Sequence, residues 1–187
     1  MTEQELLNSD LDIFCLINHI PIHIATAGGY IPPILMDEGY ILNCAKILKA
    51  IAKKWPIEDE VITNPHLRHI IRYDENREQI NPILNTLFPN QIRNFSEEET
   101  YNFYEKKIYA HSFLKMARMG FLSYDKTNIS SPIDDSFHLV ATPRYFNFPI
   151  AQIFCRIMRV PSFDVPDFNP AHPLVLNSML YNIPSYR

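Results

Sequence analysis

Residues 96–126 read SEEETYNFYEKKIYAHSFLKMARMGFLSYDK, and the fold turns on how this stretch divides. Ser96 and Glu99 have capping-box spacing: the serine oxygen can accept from the Glu99 amide, and the Glu99 carboxylate can accept from the Ser96 amide. Three acids in the first turn suit the positive end of a helix dipole. Gly120, able to take a left-handed C′ conformation, ends the segment. The spacing therefore predicts one helix over Glu97–Met119. Its apolar positions, Tyr101, Phe103, Ile108, Tyr109, Ala110, Phe113, Leu114, Met116, Ala117 and Met119, fill a wide arc, as in a helix covered on most sides. The remaining arc holds Lys107, His111, Lys115 and Arg118, spaced i, i+4, i+8 and i+11. This is either the solvated ridge of a buried helix or a stripe facing an anionic partner.

After Gly120 the period changes to two. Phe121–Asp125 and Phe137–Thr142 alternate around a polar loop containing Ser-Ser-Pro and Asp-Asp, which predicts a β-hairpin over 120–142. A helix running into a hairpin with a polar tip is analogous in shape to a winged helix, an analogy that carries no function by itself.

Upstream, Leu11–Ile17 is a short apolar run whose periodicity suits helix or strand equally. His19-Ile-Pro-Ile-His-Ile-Ala-Thr-Ala-Gly-Gly29 predicts a strand near 22–27 closed by Gly28-Gly29. Asp37 can cap a helix reaching Trp55, with Ile41, Cys44, Ala45, Leu48 and Ile51 on one stripe and Lys46, Lys49, Lys53 and Lys54 opposite. Asn64-Pro65 and Asn81-Pro82 each read as an N-cap followed by proline at N1, giving two short helices. Pro149 starts a further helix in which Ile150, Ile153, Phe154, Ile157 and Met158 form the apolar stripe. Residues 161–187 are too proline-rich for a long helix or central strand and too apolar for a linker. They predict an extended arm packed on the body, or on a neighbouring subunit in a homodimer.

The expected architecture is thus a mostly helical α+β domain over residues 1–160. It has five or six helices, a small antiparallel sheet (a strand near 22–27 and the 120–142 hairpin), and the arm. A chain of 187 residues, 47% hydrophobic, can build such a core. The net charge of −4 argues mildly against a dedicated nucleic-acid binder. The charge is uneven. Residues 1–45 hold six acids and no Lys or Arg, net −6; the rest holds 17 basic and 15 acidic residues, net +2.

Three scattered cysteines without a CxxC pair suggest buried thiols in a reducing compartment. The acidic N-terminus, unlike a secretory signal, points to the cytoplasm. No apolar run approaches a membrane span. There is no Gly-x-Ser-x-Gly elbow and no phosphate loop. His19, His23, His66 and His69 lack zinc-site spacing, so no metal or cofactor is expected. Two functional readings follow. The first is a non-enzymatic module binding a nucleic acid or an acidic protein through Lys107, His111, Lys115 and Arg118. The second is a small-ligand or metal-dependent enzyme with a site around His19, His23, Thr26, Gly28 and Gly29, where polar groups gather at a strand end.

Overall fold

A computed structural model describes residues 11–27, 60–128, 135–145 and 149–175, together with Gly39, Asn43, Cys44, Lys46 and Lys49. The sheet is larger and more mixed than the sequence suggests. Among the described residues seven strands, β1 (Asp12–Ile17), β2 (Ile20–Ala25), β3 (Val61–Thr63), β4 (Leu122–Lys126), β5 (Ser136–Pro143), β6 (Ser162–Phe163) and β7 (Leu174–Val175), run in the order β3-β5-β4-β2-β1-β6, with β7 also on β5. Of the described residues 45% are helical and 25% are in strands. This overturns both the mostly helical class and the small antiparallel sheet.

The local reasons are clear. Leu11–Ile17 pairs with β2 in a tight antiparallel hairpin, with Ile17 opposite Ile20. Asn18 and His19 both take positive φ, 50° and 64°, the geometry of a two-residue primed turn whose twist matches the flanking strands. Pro21 sits where β4 has not yet begun to pair, so its missing N–H costs no ladder bond on that side.

The expected hairpin forms as β4 and β5, with a bulge at Ser123/Tyr124. It is no wing, however. β4 is flanked by a parallel β2, and β5 by antiparallel β3 and β7, so both strands lie inside the sheet. The arrangement is therefore not that of a winged helix.

Among the described residues six α-helices are present: α1 (Leu67–Ile70), α2 (Tyr73–Leu87), α3 (Pro89–Ile92), α4 (Glu97–Tyr104), α5 (His111–Arg118) and α6 (Pro149–Met158). The expected break at Asn81-Pro82 does not occur; α2 runs through Pro82. Proline removes the bond to the carbonyl four residues back, here that of the exposed Glu78, where water can replace it. Asn85 and Thr86 bond back to the carbonyls of Asn81 and Pro82 and support the turn beyond.

The long central helix is interrupted. Its start is as expected, with both capping-box bonds made (Ser96 N to Glu99 Oε2 2.7 Å, Glu99 N to Ser96 Oγ 3.3 Å). Its end is as expected too. Gly120 has φ 98°, its amide donates to Ala117 O and the Phe121 amide to Met116 O, the paired bonds of a Schellman stop. Between them, Glu105–Tyr109 is a π-helical turn, closed by Ala110 N donating to Glu105 O at 2.7 Å.

Alternation sends the strands' side chains to two cores. On one face, Ile13, Cys15, Ile17, Ile22, Ile24, Leu122, Tyr124 and Phe137 pack with Phe163, Val165 and Leu174 of the C-terminal segment. Asn18 holds that segment in place: its side chain donates to Val165 O (2.8 Å) and accepts from Val165 N (2.7 Å). The other face is covered by helices. Phe14 and Phe121 meet α6 through Ile150, Ala151, Phe154 and Cys155, together with Cys44 and Met119. Val140 and Ala141 meet α5 through Phe113 and Ala117, with Leu67 of α1 beside them. Burial pushes the Cys155 thiol up to about 12, as for an inert core thiol.

Candidate functional site: a cationic helix face over a buried polar layer

The helix-covered face of the sheet carries two polar clusters. His23, opposite both Phe14 on β1 and Ser123 on β4, places Nδ1 2.7 Å from Ser123 Oγ and Nε2 2.9 Å from Asp12 Oδ1. Phe14 and Phe113 flank its ring at 5.3 and 6.1 Å. Burial opposes the charge on Asp12, but His23 and Lys49 outweigh it and hold the carboxyl below its usual range. The trio has the residue types of a hydrolase triad with inverted access. Ser123 is fully buried and the Asp12 side chain is 40% exposed, whereas a nucleophile must reach substrate and the carboxylate should be sheltered. Its role is to tie β1, β2 and β4 together.

The second cluster anchors the π turn. The Tyr109 hydroxyl donates to Asp125 Oδ2 (2.7 Å) and lies 3.0 Å from His138 Nε2; Asp125 and His138 are cross-strand partners. With the tyrosine proton on Asp125, His138 Nε2–H donates to the tyrosine oxygen, and Nδ1 presents a bare lone pair. Nδ1 is buried and has no hydrogen-bond partner among the described residues. Burial lowers the His138 pKa from 6.5 to about 4, so the ring is neutral near pH 7. Burial, with Asp125 beside it, pushes the Tyr109 phenol far up.

The π turn changes what the helix presents. One extra residue per turn lets Tyr109 reach down to the sheet while Lys106, Lys107 and Ile108 stand exposed in succession. Beyond Ala110, His111 and Lys115 are exposed, while Arg118 is half-buried, with a buried Nε that lacks a partner among the described residues. The structure therefore places Lys107, His111 and Lys115 on open surface and turns Arg118 partly inward. Lys106 is an exposed neighbour that a continuous 3.6 period sets on another side of the helix.

The other group of residues is spread along β2. His19 is in the turn at one end, and Thr26 lies just past the other, roughly 20 Å away at strand spacing. Thr26 is buried, with Oγ1 accepting from Leu11 N. Gly28 and Gly29 lie outside the described residues, as does most of the 37–55 helix, of which Cys44 is buried and Lys46 and Lys49 are exposed. His66 and His69 are exposed. Among the described residues no group of three or more His, Cys, Asp or Glu is placed to hold a metal, and no helix is long and apolar enough to cross a membrane. A shallow depression of about 260 Å³ on α2, lined by Pro82, Ile83, Thr86 and Leu87, gathers no titratable group.

Cations elsewhere are differently employed. Arg68 meets Asp74 at 2.7 Å and Glu98 at 2.6 Å and stacks on Tyr101. Arg77 pairs with Glu97, and Arg144 approaches Glu60 at 3.8 Å. No family model, curated protein or solved structure matches the chain.

Proposed function

We propose that the protein binds an anionic macromolecule through the exposed face of the π turn and α5, with Lys106, Lys107, His111 and Lys115 as its contacts. One observation supports this above others. Their side chains make no ion pair or hydrogen bond among the described residues, while Arg68, Arg77 and Arg144 are matched to carboxylates. Unpaired like charges held on one rigid face raise the local potential and steer an anionic partner. The face is held rigid from below by Tyr109 on Asp125 and His138, and by Phe113 and Ala117 in the core.

The test is a charge reversal with a matched control. Fluorescent polyglutamate and a short DNA duplex are titrated with wild type, K107E/K115E, and R72E/R93E, whose residues are exposed on other elements. The proposal requires saturable binding that weakens with added salt and is lost in K107E/K115E alone. Equal loss in both variants, or none in either, would refute it.

A further inference from the structure

Among the long stretches of the sequence without an acidic residue are 39–57, 106–124 and 136–163. They are far apart along the chain, yet Cys44 of the first, α5 of the second and α6 of the third come to the same face of the sheet. Cys44 from the first packs with Met119 and Phe121 from the second and with Ile150, Phe154 and Cys155 from the third. The outward residues of that layer include Lys46, Lys49, Lys107, His111, Lys115, Arg156 and Arg159, all exposed. Six acids gather instead on α2 and α4, at Asp74, Glu75, Glu78 and Glu97 to Glu99, while Asp12 lies near Lys49 on the helix-covered face. A chain of net charge −4 thus holds a cationic helical face built from three segments.

That face also carries an apolar feature. Ile153 and Ile157, one turn apart on α6, are 44% and 61% exposed, although their spacing with Ile150 and Phe154 puts them on the apolar stripe. Ile108 on the π turn is 38% exposed. Arg156, on α6 beside this pair, and Arg159, just past the helix end, make no ion pair among the described residues. A sugar–phosphate backbone would satisfy the cations and leave the isoleucines wet. A segment carrying both carboxylates and apolar side chains would satisfy both.

Resting on the anionic-ligand reading above, we infer that the partner is an acidic protein segment with apolar side chains, seated across α5 and α6 with Ile153 and Ile157 as its apolar contact. Helix-in-groove recognition combines these two components, apolar anchors giving affinity and charge giving steering.

Three probes separate the possibilities: polyglutamate, a helical peptide with the same number of glutamates plus leucine pairs at i, i+4, and a short DNA duplex. Each is titrated at physiological ionic strength with wild type and I153N/I157N. Both substituted positions are exposed, and circular dichroism checks that the variant is folded. Wild type should bind the leucine-containing peptide roughly tenfold more tightly than polyglutamate, the size expected for covering two half-exposed aliphatic side chains. I153N/I157N should abolish that difference and keep the polyglutamate affinity. The inference is overturned if the two peptides bind alike, if the variant keeps the preference, or if the duplex binds most tightly; in those cases the anionic-ligand reading survives. Absence of binding by every probe removes both.

Discussion

Removing or protonating His138 tests the buried layer beneath the cationic face. In the folded protein its pKa falls from 6.5 to about 4 through burial. A histidine with a depressed folded pKa binds its proton more readily in the unfolded chain. Stability is therefore fully present above the unfolded value and falls as pH drops from 6.5 towards 4. The full loss, at ~1.4 kcal/mol for each tenfold change in the protonation equilibrium, is ~3 kcal/mol. About 2 kcal/mol of it should be lost by roughly pH 5, before most unfolded-state carboxyls bind protons. Urea unfolding of wild type and H138Q between about pH 7.5 and about pH 5 measures this difference. H138Q will be less stable near neutral pH, because an amide fills the imidazole's place imperfectly, but its curve should be flatter by ~2 kcal/mol over that range. Following the His138 ring by NMR gives the midpoint independently. Parallel stability curves, or a ring titrating near 6.5 in the folded protein, would refute the burial argument.

Other perturbations follow from the same contacts. Tyr109→Phe leaves Asp125 Oδ2 and His138 Nε2 without their shared partner and should destabilise by ~1–3 kcal/mol in urea unfolding. Asn18→Ala loses two bonds to Val165 and replaces a residue that tolerates a φ of 50° with one that tolerates it less well. The cost should be ~2–4 kcal/mol, with faster limited proteolysis in the segment beyond residue 160. Ser96→Ala removes the serine half of the capping box and should cost ~1 kcal/mol by thermal unfolding.

What the sequence discloses divides by the range of the interactions. The Ser96–Glu99 box and the Gly120 stop are local, encoded within a few residues, and both ends of the 97–119 segment are found as expected. The hairpin of β4 and β5 was readable from its alternation. Its neighbours were not. Pairing of β2 with β4 joins residues about a hundred positions apart, and nothing local marks it. The first hairpin was hidden because its turn is Asn18-His19, without the glycine that usually flags a primed turn. β6 and β7, two residues each, are too short for a period to register.

The polar clusters were invisible for the same reason. His23 stands out in the sequence, but Asp12 and Ser123 lie 11 and 100 residues from it. Tyr109, Asp125 and His138 likewise meet only after the sheet forms. The π turn could not be read from hydrophobic spacing, since Tyr109 and Ile108 both counted as apolar arc, and only Tyr109 points inward to a partner. The exposed Ile153 and Ile157 are the converse case, a helical stripe read as core that the structure leaves open.

Lysine footprinting tests the cationic face most directly. Acetylation rates at each lysine are read by mass spectrometry with and without saturating acidic peptide. Protection should concentrate at Lys106, Lys107 and Lys115. Uniform rates across the chain, or protection confined to lysines elsewhere, would contradict the assignment of this face.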